Sequence, residues 1–322
     1  MRAITHERYG PPDEVLRLKE IPRPVPGDGE VLVRVHAAPI GGDDWHILQG
    51  MPYVARFVTG LRGPKNPVAG LEVAGVIEAV GANVDDFRPG DEVFGWCGGS
   101  FADYVAVPQG QLLPKPVNLS FEQAAAVPIS SFTALQGLRH GGIGPGQRVL
   151  VNGASGGVGT FAVQIARSYG AAVTGVCGPA KADLVRSLGA EDVVDYTKER
   201  FADRGERYDL ILDVQGSPSL SDCRRALTPR GTLVIVGGTG GPWLWGTGRW
   251  LRAFALSPFI GQSLRVRVHS DDRDDLLFMK ELIETEKVTP IVDRTYPLER
   301  VTEAIRYVQQ GNARGKVVIT VA

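Results

Sequence analysis

A β-rich first domain followed by a doubly wound, parallel α/β domain is the fold class that this sequence predicts. Three observations carry the prediction. Short apolar runs cut by Gly and Pro fill the chain up to about residue 116. Beyond residue 147, strand-like apolar runs alternate with helix-like ones. Between the first such strand and the first such helix lies a glycine turn at residues 152–159.

In the first stretch, the runs at 31–35, 73–80, 91–94 and 104–107 have strand length, and the Gly and Pro residues between them supply turns. They predict a small barrel-like β unit. The texture changes at Leu119. There Ser120 and Gln123 have capping-box spacing ahead of three alanines, and residues 130–140 continue at helical period after Pro128. A domain boundary is expected there. Next come strands at 148–151, 172–176, 192–194, 210–212 and 232–236, with helices at 157–169 and 180–188, a pattern that specifies a parallel sheet with right-handed crossovers. Near the end, residues 301–310 read as a helix and 316–321 as a strand whose partner must come from elsewhere in the chain.

Length and charge narrow the function. A chain of 322 residues suits two domains, and small-molecule sites commonly form where domains meet. Lys+Arg 35 against Asp+Glu 36 gives no electrostatic reason to expect nucleic acid or an anionic membrane as the main partner. The three cysteines, Cys97, Cys177 and Cys223, are odd in number and far apart, which fits reduced thiols in a cytoplasm. No signal-like segment opens the sequence and no run has the length of a membrane span. The partner is expected to be a small molecule and the location cytoplasmic.

Gly153, Gly156 and Gly159 follow a strand and open a helix. Glycines there permit a tight turn and close approach of backbone to a pyrophosphate, while the N–H groups at the helix start attract the anion. The turn, Gly153, Ala154, Ser155, Gly156, Gly157, Val158 and Gly159, is therefore expected to cradle a dinucleotide. An NAD enzyme usually ends its second strand in a carboxylate for the ribose hydroxyls. Here Cys177 and Gly178 stand at that place, with Lys181 just beyond and Tyr196 after the third strand. Both side chains suit a 2′-phosphate, so NADPH is the expected cofactor. The competing reading makes Lys181 a solvated residue opening the next helix, balanced by Asp183.

Residues 68–81, 87–95, 124–128 with 133–136, 152–167 and 314–319 together resemble the medium-chain dehydrogenase/reductase superfamily, nearest its quinone reductase and enoyl reductase-like branch. The resemblance implies a GroES-like substrate domain over 1–118 and 292–322, a Rossmann domain over 119–291, and an active site in the cleft between them. It implies Lys181 and Tyr196 on the NADPH phosphate, with Arg314 or Lys316 as a third cation. It also implies Gly237 and Gly238 beside the nicotinamide half, and Ser130 and Thr133 lining the nicotinamide. Helix capping is the equal alternative for Ser130.

Zinc alcohol dehydrogenases of that superfamily carry Cys-His where this chain has Gly41-Gly42, and His-Glu where it has Leu71-Glu72. Their four-cysteine lobe is also missing. No metal is expected, because zinc needs three or four converging ligands. Without a Lewis acid, hydride transfer from NADPH to an electron-poor acceptor is the natural chemistry, with a quinone or an α,β-unsaturated carbonyl as the acceptor. Tyr53 matches the branch's tyrosine as a proton donor or substrate orienter, against a packed aromatic. Asp44 matches its turn aspartate, against a purely turn-stabilising carboxylate.

Residues 242–258 carry three of the five Trp residues together with Arg249 and Arg252, and read as a pocket wall or a subunit interface rather than a membrane contact. The resemblance implies a homodimer, which pairing of residues 264–268 across a twofold axis would make; the equal alternative is that Arg265 and Arg267 on this edge discourage pairing. Two other activities stay open at this point: a zinc-free NADP-dependent alcohol or aldehyde dehydrogenase, and a non-catalytic NADPH-binding scaffold or sensor.

Overall fold

The structure is a computed structural model that describes residues 1–51, 53, 56–237, 247–257 and 260–321. The chain divides into two compact units. The first comprises Met1–Ile129, Asp271–Glu284 and Pro290–Ala322, and the second Ser130–Ser270 and Thr285–Thr289.

The first unit is built on a mostly antiparallel sheet. Its path runs Val292–Pro297, Lys316–Thr320, Glu30–Ile40, Glu72–Val80, Glu92–Trp96 and Leu112–Pro114, with Tyr104–Pro108 also pairing with Glu30–Ile40. Alternation in these strands turns Val31, Val33, Val35, Ile77, Val105, Val317 and Ile319 into one buried core, closed by Phe101 and Leu112. The late strand finds its partner here: Val318 pairs with Pro39 and Ile319 with Ala38, antiparallel. Two elements carry little apolar alternation, and the sequence reading passes over them. Arg2–Thr5 and Arg17–Glu20 form a separate two-stranded ribbon, and the second strand is exposed throughout.

The second unit holds six parallel strands in the spatial order Asp192–Asp195, Ala172–Cys177, Arg148–Asn152, Tyr208–Asp213, Leu227–Ile235, Ser263–Val266. The order reverses on either side of Arg148–Asn152, giving the switch point of a doubly wound Rossmann-type sheet. The central strands read as near-continuous apolar runs because they are buried on both faces, with Val149, Leu150, Val151, Leu210, Ile211 and Leu212 all inaccessible. Among the described strands Ser263–Val266 is an edge. Arg265 in this strand and Arg267 just past it fold back on their own unit: Arg265 reaches the His140 carbonyl, and Arg267 Nη2 donates to Gln136 Oε1 at 3.0 Å.

Candidate functional site

At the switch point, the strand Arg148–Asn152 hands over to the helix Gly157–Ser168 through the glycine turn. Gly153 sits at φ 88°, a left-handed conformation that favours glycine. The N–H groups of Gly153 and Ala154 both donate to Val176 O, at 3.1 and 3.0 Å, which locks the turn to the next strand. Gly156 is extended and caps the helix. A Cβ on Gly159 would come within 2.1 Å of Gly153 O, so the first helical turn lies against the glycine turn with no room for a side chain. The result is a helix N-terminus held close to a tight backbone loop, which is the geometry that receives a phosphate. Ala154 and Ser155 are buried, while Gly156, Gly157 and Val158 are partly open.

The adjacent strand ends bring four of the expected residues together. Cys177 pairs in register with Asp195, and Tyr196 N donates to Cys177 O at 3.4 Å. The Tyr196 hydroxyl lies 3.6 Å from the position a Cβ on Gly178 would take. Lys181 N donates to Gly178 O at 3.0 Å, in the short turn that opens the next helix. Burial raises the Cys177 thiol above its ordinary range. Asp195, absent from the sequence reading, contributes a carboxylate to this corner. It is tied down locally, its Oδ1 accepting from Thr197 N and Oγ1 at 3.0 and 2.7 Å.

In the first unit, Lys316 requires a correction. As a phosphate ligand it would need an accessible ammonium, but its side chain is 4% exposed and its Nζ lies 3.0 Å from Glu72 Oε2. Arg314, its alternative, is exposed in the same unit. The other Glu72 oxygen accepts the Ile129 N–H at 2.9 Å. This overturns the capping reading for Ser130. The helix begins at Pro128, and the Glu72 carboxylate serves its N-terminus from outside. Ser130 and Thr133 lie within the helix and are buried. Burial raises the Glu72 carboxyl, and both Lys316 and the Ile129 N–H oppose that rise.

Asp44 lies at the third position of the helix Gly42–Gln49, where its Oδ2 accepts the Gly41 N–H at 2.8 Å. Burial pushes its carboxyl up to about 7, with Glu72 adding to the rise and the Gly41 N–H and Lys316 opposing it. Asp44 also borders an apolar cavity of about 280 Å³ within the first unit, together with Leu48, Val68, Leu71 and Phe101. The ring of Tyr53 carries the Arg56 guanidinium at 4.5 Å from its centroid.

Gly237 closes the far side of the sheet edge in the second unit. A Cβ there would meet Val214 O at 1.8 Å. Gly238 and residues 242–246 of the Trp-rich stretch lie outside the described residues. Between Gly153 and Gly237 stands a residue the sequence reading did not single out. Asp213 is inaccessible to solvent, and its Oδ1 accepts from Asn152 Nδ2 at 2.7 Å and from Gly216 N at 2.9 Å. Its Oδ2 lies 2.5 Å from Arg249 Nη1, on the helix Thr247–Leu256. A carboxylate closing an otherwise apolar strand was the available signal, since such a charge is buried only with partners.

Comparison with known proteins finds two family matches along the chain. Residues 27–117 match the alcohol dehydrogenase GroES-like domain, and residues 188–319 match a family model described as zinc-binding dehydrogenase. The human quinone oxidoreductase is 32% identical over 99% of this chain and 97% of its own length. The tomato (Solanum lycopersicum) 2-methylene-furan-3-one reductase is 31% identical over 99% of this chain and 79% of its own. Among solved structures, the Escherichia coli quinone oxidoreductase complexed with NADPH superposes with a TM-score of 0.83 at 26% identity, covering 99% of this chain and 100% of that one. A Rossmann-type sheet and a GroES-like unit in one chain are thus shared with NAD(P)-dependent oxidoreductases. The chain belongs to the medium-chain dehydrogenase/reductase superfamily, in its quinone reductase-like branch.

Proposed function

We propose that the protein transfers hydride from NADPH to an apolar quinone or α,β-unsaturated carbonyl, without zinc. The observation that carries the cofactor choice is the corner at Gly178. The Tyr196 hydroxyl and the Lys181 turn flank a strand end that offers a buried thiol where a ribose-binding carboxylate would stand. A phosphate monoester placed there meets a hydroxyl donor and an ammonium, and the neighbouring Asp195 carboxylate is engaged by Thr197 and Lys198. The glycine turn and the N-terminus of Gly157–Ser168 take the pyrophosphate.

The donor set does not fit zinc. Gly41 and Gly42 offer no side-chain ligand, Leu71 is apolar, and the Glu72 carboxylate is already neutralised by Lys316. The Cys97 thiol is raised well above its ordinary range by burial, which disfavours the thiolate a metal requires. The hydride acceptor must then be electron-poor before it binds. The apolar lining of the cavity beside Leu71 and Phe101 supports a hydrophobic acceptor. Asp44 borders that cavity and, with a carboxyl at about 7, retains a proton near neutrality, which makes it a candidate proton source. Tyr53 is the alternative donor. The edge strand Ser263–Val266 supports a homodimer formed by sheet extension, which size-exclusion chromatography with light scattering tests directly.

Loss of absorbance at the NADPH band, followed with quinones, enones, enoyl thioesters and aldehydes and in parallel with NADH, tests the reading. Turnover of quinones or enones with NADPH preferred is the expected result. Equal use of NADH would remove the role given to Lys181 and Tyr196, and turnover confined to aldehydes would replace the acceptor class.

A further inference from the structure

The Trp-rich stretch found no role in the proposed chemistry, yet the helix Thr247–Leu256 within it is tied to the nucleotide cradle by a buried charge. We infer that Asp213 is a positioning residue for the nucleotide and that Arg249 makes this helix a working part of the cofactor site. The inference rests on the reading of the glycine turn as the NADPH cradle.

Three loops at the carboxyl ends of the parallel strands form that cradle, and Asp213 joins all three. Its Oδ1 holds the side chain of Asn152, the residue that launches the glycine turn, at 2.7 Å, and the N–H of Gly216 in its own loop at 2.9 Å. Its backbone carbonyl accepts from Val236 N at 3.1 Å and Gly237 N at 3.3 Å, at the end of the next strand. The loops also touch backbone to backbone. A Cβ on Gly153 would lie 3.4 Å from Gln215 N, and one on Gly237 would collide with Val214 O. A displacement of any one loop therefore moves the others.

What fixes Asp213 in turn is Arg249. A carboxylate with no solvent access needs a cation, and the Arg249 Nη1 at 2.5 Å is the cation the described residues supply. Arg249 Nη2 also lies 3.6 Å from the Cys223 sulfur, in a pocket that raises the thiol to about 12, burial being the main cause. The thiol is thus neutral and leaves the guanidinium charge to Asp213. Arg249 Nε and Nη1 and Asp213 Oδ2 are buried without a hydrogen-bond partner. The guanidinium is therefore held by ion pairing with the carboxylate and by the Nη2 contact to the Cys223 sulfur. Asn152, Asp213 and Arg249 form a line from the glycine turn to the helix. Nucleotide binding and the seating of the helix are coupled through it.

The test compares wild type with Arg249→Met, Arg249→Lys and the double variant Asp213→Asn/Arg249→Met, using Arg252→Met on the same helix as the control. NADPH affinity is measured from the fluorescence of the bound nucleotide, and KM and kcat with a quinone acceptor. The midpoint of thermal unfolding is recorded with and without NADPH. Arg249→Met is expected to weaken NADPH binding and raise its KM about 10-fold, the scale on which outer supports of a bound group act, with kcat changed less than about threefold. The rise in unfolding midpoint on adding NADPH shrinks accordingly. Arg249→Lys restores part of the affinity, and Arg252→Met leaves it unchanged. If Arg249→Met fails to fold, the double variant removes both charges and keeps the fold, and its weakened NADPH binding is then the supporting result. NADPH affinity within twofold of wild type in either variant overturns the inference, leaving the ion pair a stabilising contact alone. Failure of the wild type itself to bind NADPH overturns instead the reading of the cradle on which the inference rests.

Discussion

Lys316 Nζ lies 3.0 Å from Glu72 Oε2, with side-chain exposures of 4% and 1%, so the two form a fully buried ion pair. A Cβ on Gly41 would sit 3.5 Å from the same Nζ, an ordinary van der Waals contact. Removing one partner strands a buried charge. Lys316→Met is therefore expected to lower stability by about 3–5 kcal/mol, whereas Lys316→Met combined with Glu72→Gln recovers most of the loss. Urea unfolding midpoints measure both, and equal stability of the single and double variants would show that the charges are not coupled.

Gly159 is the point where the helix meets the glycine turn. Gly159→Ala places a methyl 2.1 Å from Gly153 O and 2.7 Å from the Ala154 backbone, so the turn must open. NADPH affinity is expected to fall by more than about 10-fold, because misplacing a bound group by roughly an ångström costs up to about 100-fold. Gly142→Ala, at a positive φ with open space around it, is the control for general backbone strain. Isothermal titration calorimetry separates the two.

Cofactor choice is tested at the Gly178 corner. Lys181→Ala is expected to raise KM for NADPH roughly 10-fold, the worth of one hydrogen bond to a charged group, and to leave KM for NADH within about twofold. Tyr196→Phe acts in the same direction, more weakly, since a neutral donor is lost. Equal changes with both nucleotides would place these side chains away from the 2′-phosphate.

Asp44 gives the first unit a pH signature. Its carboxyl sits at about 7 in the folded chain against 3.8 in its ordinary environment. The folded state therefore holds a proton that the unfolded chain releases between those values, and stability falls as pH rises through that window. About three pK units correspond to roughly 4 kcal/mol. Asp44→Asn keeps an oxygen for the Gly41 N–H and removes the ionisation. The difference in stability between wild type and Asp44→Asn is expected to grow from pH 4 to pH 7 in favour of the variant, read from denaturant melts at each pH. A difference independent of pH would assign Asp44 an ordinary carboxylate value.

Much of this architecture is legible along the chain because local physics fixes it. The buried strands 148–152 and 208–213 read as apolar runs, the turn has glycine at 153 where φ is positive and at 159 where a side chain would collide, and Ser120 with Gln123 forms the capping box that its spacing announces. Residues 17–20 form a strand exposed throughout, with no alternation to reveal it. The charged partnerships are illegible for a different reason. Glu72 and Lys316 are far apart in sequence, as are Asp213 and Arg249, and neither member of a pair names its partner. Lys316 looks like an available cation until the fold shows what it neutralises. Ser130 looks like a cap until Glu72 is found serving the helix start from another strand.

The strand Lys316–Thr320 lies between Glu30–Ile40 and Val292–Pro297 in the first unit. A ribosome therefore releases the opening strands long before it makes the one that completes their sheet. Residues 130–270, which carry all six strands of the parallel sheet, emerge in a single stretch during that interval. Synthesis order thus favours maturation of the parallel sheet first, while the end of the strand at Ala37–Ile40, beyond the stretch that Tyr104–Pro108 pairs, waits for its partner and is open to other chains. Making the strand Lys316–Thr320 is the step that closes this window, so a stall or frameshift near residue 310 would release a chain with its parallel sheet formed and its first unit prone to aggregate.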